Sequence, residues 1–387
     1  MHYFTYEHPF ELENGGILPG VTVAYHTYGR LNADASNVVW VCHALTANSD
    51  VAHWWTGVVG EKGAIRPEEY FIVCANILGS CYGSTGPLSV DPGKAGRQPV
   101  PVSVDPGEAG RQPGPVSEDP GKAGRQPGPG GTGNGKAELQ EGESYYADFP
   151  PVTIRDMVRA HMLLRQHLGI GKIHLLMGGS MGGYQALEWA LMEKEVIGQL
   201  FLIATSPAES AWGIAVHTAQ RMAIEADSSW RDANPEAGIR GLKAARAIGI
   251  LTYRNYGIMV QKQTDPDAEK LDGFKAASYI EYQGDKLADR FFASCYWLLT
   301  KSMDSHNLSR GRGGDIEAVL KNISQRTLLI GITSDILCPV EEQRHMAAHL
   351  PDATLIEIDS AYGHDGFMVE GEKIANHLRD WLSVGGK

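Results

Sequence analysis

No stretch of the 387 residues stays apolar for the length of a membrane span. Met1 to Glu13 carries polar and acidic residues where a secretory leader needs a basic start and an apolar middle. Cysteine is sparse: Cys42, Cys74, Cys81, Cys295 and Cys338 make an odd five with no C-x-x-C pair, and two lie inside apolar strand-like runs. That count argues against a disulfide framework, so a reducing cytoplasm is the expected location, with no membrane attachment. Positive charge is short as well, 34 Lys and Arg against 46 Asp and Glu, for a net charge of -12. No general nucleic-acid surface is expected from this balance, although a local basic pocket for an anionic molecule stays open. No metal-ligand spacing, phosphate loop or dinucleotide fingerprint is found, so neither a metal nor a permanently bound cofactor is expected.

What is present is the composition of a globular chain, 43% hydrophobic and 21% charged, long enough for two domains or one α/β domain with an insertion. Val21 to Tyr28 alternates, and Val38 to Cys42 is a continuous apolar run suited to a strand covered on both faces. Further strands are expected over Tyr70 to Asn76, Ile173 to Met177, Gln199 to Thr205, Arg326 to Ser334 and Ala353 to Asp359. Met157, Ala160, Leu164 and Leu168 mark an amphipathic helix closed by Gly169 and Gly171, and Glu370 to Leu382 reads as the last helix. Between Pro207 and about Ser324 the strand signals give way to helical, charged and aromatic segments. The expected architecture is therefore a mostly parallel α/β core over 1–206 and 325–387 with an inserted helical cap over 207–324.

Residues 89–130 interrupt this pattern. Ser-Val-Asp-Pro-Gly-Lys-Ala-Gly-Arg-Gln-Pro starts at Ser89 and recurs with small changes from Ser103 and Ser117. Each copy is rich in Gly and Pro and has almost no large apolar residue, so it cannot bury enough surface to offset chain entropy. A flexible surface excursion is expected, a neutral duplication rather than a partner-binding array.

The chemistry concentrates at residues 172–190, where an apolar strand-like run meets Gly178, Gly179, Gly182 and Gly183 and then good helix formers from Tyr184 to Ala190. Ser180 stands at the centre of Gly178-x-Ser180-x-Gly182, a nucleophile elbow in which the turn lifts the serine hydroxyl above the sheet edge. Asp335 and His364 each follow an expected strand, giving the chain order Ser, Asp, His. His364 can take the serine proton during attack on an acyl carbon and return it later, while Asp335 fixes the imidazole tautomer and stabilises its cation. Backbone N–H groups of Leu45 and Met181 are the candidate oxyanion donors, worth about 3 to 4 kcal/mol each in such arrangements. His43 is expected only to orient its loop. Arg246 and Tyr253, seven apart, share one face of an expected helix from Gly241 to Tyr253.

The sequence resembles the homoserine O-acetyltransferase family, an acyltransferase branch of the α/β-hydrolase fold. The resembling segments are His43-Ala-Leu-Thr, Leu78-Gly-Ser-Cys-Tyr-Gly-Ser-Thr-Gly-Pro87, Phe149-Pro150 with Val152-Thr-Ile-Arg-Asp-Met157, Gly178 to Gly183 with Gln185-Ala-Leu-Glu-Trp-Ala190, Leu251-Thr-Tyr-Arg254, Ser334-Asp-Ile336 and Gly363-His-Asp-Gly-Phe367. The resemblance implies transfer of acetyl from acetyl-CoA, a co-substrate, to Ser180 and then to the hydroxyl of L-homoserine. It also implies that Arg246, Tyr253 and Asp365 hold the amino acid, and that the enzyme is a homodimer joined through the cap. An α-carboxylate suits Arg246 and an α-ammonium suits Asp365. Ala47 stands where the family usually has glycine. A succinyl donor or a serine acceptor would keep the same mechanism, because one methylene is worth only about 1 to 3 kcal/mol of discrimination. An esterase or thioesterase would need no acceptor clamp.

Overall fold

The β-strands follow from runs that have no polar face. In the computed structural model, which describes residues 1–91 and 144–384, Val38–Cys42 is buried along its whole length. Its residues divide between two apolar layers, Trp40 and Cys42 on one side and Val39 and Val41 on the other. The neighbouring strands repeat this alternation, with Leu176 and Leu200 on the first side and Leu175, Met177 and Phe201 on the second. Such two-sided burial is what parallel strands beneath helices on both faces require.

Eight strands of one sheet are present among the described residues: β1 His2–Tyr6, β2 Val21–Tyr28, β3 Val38–Cys42, β4 Phe71–Ala75, β5 Ile173–Gly179, β6 Ile197–Ile203, β7 Arg326–Ile332 and β8 Ala353–Ile358. Their spatial order is β1-β2-β4-β3-β5-β6-β7-β8, antiparallel for β1–β2 and β2–β4 and parallel elsewhere. Helices α1 (Ile154–His167) and α2 (Met181–Met192) bury one face of the sheet. There Trp40 meets Trp189 edge to face, with ring centroids 5.0 Å apart. The opposite face is covered by the C-terminal helix Gly371–Val384 through Ile374, Ala375, Leu378 and Trp381. Thr153 begins α1 with a capping box, its backbone N–H donating to the Asp156 carboxylate at 2.8 Å.

Between β6 and β7 the chain forms α3 (Ala211–Glu225), α4 (Ile239–Tyr253), α5 (Tyr256–Gln263), α6 (Lys275–Ala288), α7 (Ala293–Asp304) and α8 (Ile316–Leu320). Helix α4 packs between α3 and α6. Helix α7 does not stand apart from the core as a detached cap would. Leu298, Leu299 and Met303 join the main apolar layer, and Ser302 Oγ donates to Val152 O at 2.7 Å. After β7, α9 (Val340–His349) leads to β8. The repeats from residue 92 onward lie outside the described residues. The chain on either side of that segment is joined by a Val90–Ser144 bridge and by Tyr145 N–H donating to Ser89 O at 3.2 Å. No described helix is long and apolar enough to cross a membrane.

Candidate active site

At the end of β5 the backbone turns directly into α2, and two glycines make that turn possible. A methyl group on Gly178 would lie 2.2 Å from Gly182 O, and one on Gly182 would lie 2.1 Å from Cys42 O. Ser180 occupies the tip with φ 53° and ψ -127°, a left-handed conformation that costs a non-glycine residue energy and persists only where its surroundings hold it. Here they do. Ser180 N–H donates to Ile203 O at 3.0 Å, and Thr205 Oγ1 donates to Ser180 O at 2.8 Å. Helix α2 starts at Met181, earlier than the helix formers from Tyr184 suggest, because glycines that weaken a helix in isolation are the residues that allow close approach here.

Asp335 follows β7 and His364 follows β8 within a short turn. The structure brings both to Ser180. His364 Nε2 lies 2.9 Å from Ser180 Oγ, and His364 Nδ1 lies 2.7 Å from Asp335 Oδ2. The other carboxylate oxygen of Asp335 accepts from Leu337 N–H at 2.8 Å and Cys338 N–H at 2.9 Å, which fixes its plane. All three side chains are buried. Burial pulls the imidazole of His364 down, but the Asp335 carboxylate, with Asp365 and Glu209 further out, carries it above its ordinary value of 6.5.

Leu45 lies in the loop after β3, beside the N-terminus of α2. Neither the Leu45 nor the Met181 backbone N–H has a hydrogen-bond partner among the described residues. The loop itself is firmly held. Gln185 Nε2 donates to His43 O at 3.1 Å, and Arg290, from the α6–α7 connection, donates to Thr46 O at 2.7 Å and to Tyr82 Oη at 2.6 Å. Burial lowers His43 to about 4, so its ring is neutral near pH 7. Its Nδ1 lies 2.9 Å from Ala44 O, and its Nε2 accepts from Ile77 N–H at 3.2 Å. This bonding uses both ring nitrogens and leaves His43 a loop-orienting role. Ala47 closes a turn onto Ala44 O in the same loop.

The cap meets His364 through the end of α4. Gly363 has φ 63°, and a side chain there would strike Tyr253 O at 2.9 Å, so α4 sits directly against the His364 turn. The Tyr253 and His364 rings are 6.0 Å apart, and the Arg246 guanidinium lies 5.4 Å from the Tyr253 ring centroid. Arg246 is half-buried, and its Nε is enclosed without a hydrogen-bond partner. Asp365 forms an ion pair with Arg254, Nε to Oδ2 3.0 Å, with both side chains mostly buried. Lys286 on α6 feels the same group of cations: burial, then the charges of Arg290, Arg246 and Arg254, hold its ammonium below the ordinary 10.5. A chain of net charge -12 thus gathers four basic side chains into one neighbourhood of the cap.

Reading the residues one at a time missed Arg254, Arg290, Thr205 and the buried Glu209, which accepts from Tyr184 Oη at 3.1 Å. Arg254 had a visible signal, lying next to Tyr253 in a family-like segment. The others act through partners far away in sequence.

The alpha/beta hydrolase fold family matches residues 37–371. The homoserine O-acetyltransferase of Cyclobacterium marinum is 41% identical over 98% of this chain and 94% of its own length. The chain belongs to the homoserine O-acetyltransferase family. Among solved structures, the homoserine O-acetyltransferase of Bacillus anthracis superposes with a TM-score of 0.77 at 22% identity, covering 97% of this chain and 96% of that one. Esterase E22 also gives 0.77, at 20% identity, covering 98% and 99%. At these identities the superpositions establish the fold, which transferase and esterase share. What separates them within the homoserine O-acetyltransferase family's fold has to be the side chains around the serine.

Proposed function

We propose that this protein transfers acetyl from acetyl-CoA to the side-chain hydroxyl of L-homoserine through an acetyl-Ser180 intermediate. The observation that carries the proposal is the Ser180–His364–Asp335 relay, at 2.9 and 2.7 Å, with the Tyr253 ring 6.0 Å from that of His364 and the Arg246 guanidinium over Tyr253. Ser180 Oγ attacks the thioester carbonyl while His364 Nε2 takes its proton. The tetrahedral oxyanion is held by the Leu45 and Met181 N–H groups, and the C–S bond breaks as His364 protonates the departing thiolate. The homoserine hydroxyl then gives its proton to His364 and attacks the acyl-serine, and His364 returns the proton to Ser180 Oγ. Arg246, supported by Tyr253, receives the α-carboxylate. Asp365, already paired with Arg254, receives the α-ammonium as a shared partner.

The charged residues Arg246 and Asp365 favour transfer to an amino acid over hydrolysis, because water needs no charged acceptor site. The test is release of free thiol from acetyl-CoA and from succinyl-CoA, each with L-homoserine, with L-serine and without acceptor. Release that needs acetyl-CoA and homoserine together supports the proposal. Equal release without acceptor identifies a thioesterase, and dependence on succinyl-CoA or serine changes the substrate while keeping the mechanism.

We further propose a homodimer joined through the cap. Trp212, Met222, Leu251, Tyr256 and Leu271 there are 51 to 93% exposed. Large apolar residues left exposed on one part of a chain suit an interaction surface. Light scattering after size exclusion should give twice the chain mass, and a monomer would refute the proposal.

A further inference from the structure

We infer that Glu317, His345 and His349 form a binding site for a divalent first-row metal ion of the Zn2+ type, joining α8 to α9 away from the catalytic serine. His345 and His349 are four residues apart on α9 and share a face, with ring centroids 4.7 Å apart. Glu317 reaches them from α8. One ligand atom from each of the three lies within 4.8 Å of the others. Ligands at about 2.0 to 2.2 Å from a tetrahedral zinc are roughly 3.4 Å apart, so small side-chain rotations close the set.

The hydrogen bonding around His349 favours a cation. Its Nδ1 lies 2.9 Å from His345 O, and a carbonyl can only accept, so the proton sits on Nδ1. That bond fixes the tautomer and ring plane in the way the outer partners of metal-bound histidines do. It also aims the remaining nitrogen, Nε2, at Glu317 Oε2, 3.2 Å away. In the neutral ring both atoms are acceptors, and two acceptors at this distance need a positive charge between them, a second proton or a metal ion. Nearby His345 adds a second nitrogen. Two imidazoles and a carboxylate make a borderline donor set that suits zinc with water in the fourth position.

Glu317 N–H donates to the capping Asp315 carboxylate at 3.0 Å, which fixes its backbone; its side chain is 52% exposed and that of His349 21%. Helices α8 and α9 flank β7, so an ion here would tie the chain's return from the cap to the core. The sequence reading found no metal spacing because only the two histidines are close in sequence, and the third ligand comes from a separate helix.

The test uses tag-free, chelator-treated protein titrated with Zn2+ by calorimetry and with Co2+ by visible absorption. Expected are one zinc equivalent, a rise in melting temperature, and cobalt bands of tetrahedral intensity. Glu317→Gln and His349→Ala should each weaken zinc affinity by roughly tenfold or more, and His345→Ala/His349→Ala should abolish the cobalt bands. Both variants with altered histidines lie on a helix whose apolar contacts stay intact, and circular dichroism checks their fold. Absence of zinc binding overturns the inference, as does binding whose affinity and stoichiometry are unchanged in folded variants.

Discussion

Ser180, His364 and Asp335 depend on one another, so their substitutions should not behave additively. Ser180→Ala should lower acceptor-dependent thiol release by on the order of a thousandfold or more while leaving the fold intact. The pH dependence follows from His364. Catalysis needs its neutral ring, and its folded-state value lies above 6.5, so kcat/KM should fall as pH drops through a point above 6.5. For stability the sign is opposite: the His364–Asp335 pairing contributes fully below 6.5 and is lost as pH rises through the raised value. Asp335→Asn removes the raising charge and leaves burial acting alone. It should therefore move the acid limb of the pH profile to lower pH and cut the rate by roughly ten-thousandfold through loss of the correct tautomer. Arg246→Ala should raise KM for homoserine by about 10- to 100-fold, as expected for a lost charged hydrogen bond, and leave acylation by acetyl-CoA alone little changed. An unchanged KM would remove Arg246 from the acceptor site. Ser180, Asp335 and His364, which the fold brings together, could be picked out in the sequence because each follows an apolar run that announces a strand. The Arg254–Asp365 pair, the Arg290–Thr46 bond and the Tyr184–Glu209 bond could not, since each depends on segments that meet only after folding.

At the scale of elements, the elbow is the tightest packing that the chemistry depends on. Gly182→Ala places a methyl group 2.1 Å from Cys42 O, a backbone atom that a rotamer change cannot move. It should cost about 1 to 3 kcal/mol or more, read as a lowered urea midpoint, and should impair activity further by shifting the loop that carries Leu45. Wild-type stability in this variant would contradict the account of the turn. The interior strands β3 to β7 and the half-buried edge strand β8 were legible to within a residue or two; in the interior strands burial on both faces leaves runs rich in Val, Ile and Leu. Strand β1 was not. His2–Tyr6 lies at the antiparallel edge, half-buried, and its mixed His, Tyr, Phe and Thr sequence carries no such run. The cap's helices were legible as a group, but α7's place in the core was not, since an apolar helix face does not name what it packs against.

For the whole molecule, the bridge between Val90 and Ser144 brings together the two ends of the chain on either side of residues 92–143. Replacing 92–143 with a short turn should leave the melting temperature little changed and kcat/KM within about twofold of the full chain, because loop-closure cost changes only slowly with length. A large loss of either would give the repeats a role that their composition does not suggest. The measurement that bears most directly on the reaction is intact-protein mass after rapid mixing with acetyl-CoA in the absence of acceptor. The expected result is a mass gain of one acetyl group, mapped to Ser180, absent in Ser180→Ala and discharged on addition of L-homoserine. Transfer of acetyl to homoserine with no acetyl-protein at any time of mixing, or an adduct that homoserine does not discharge, would contradict an acyl-serine pathway.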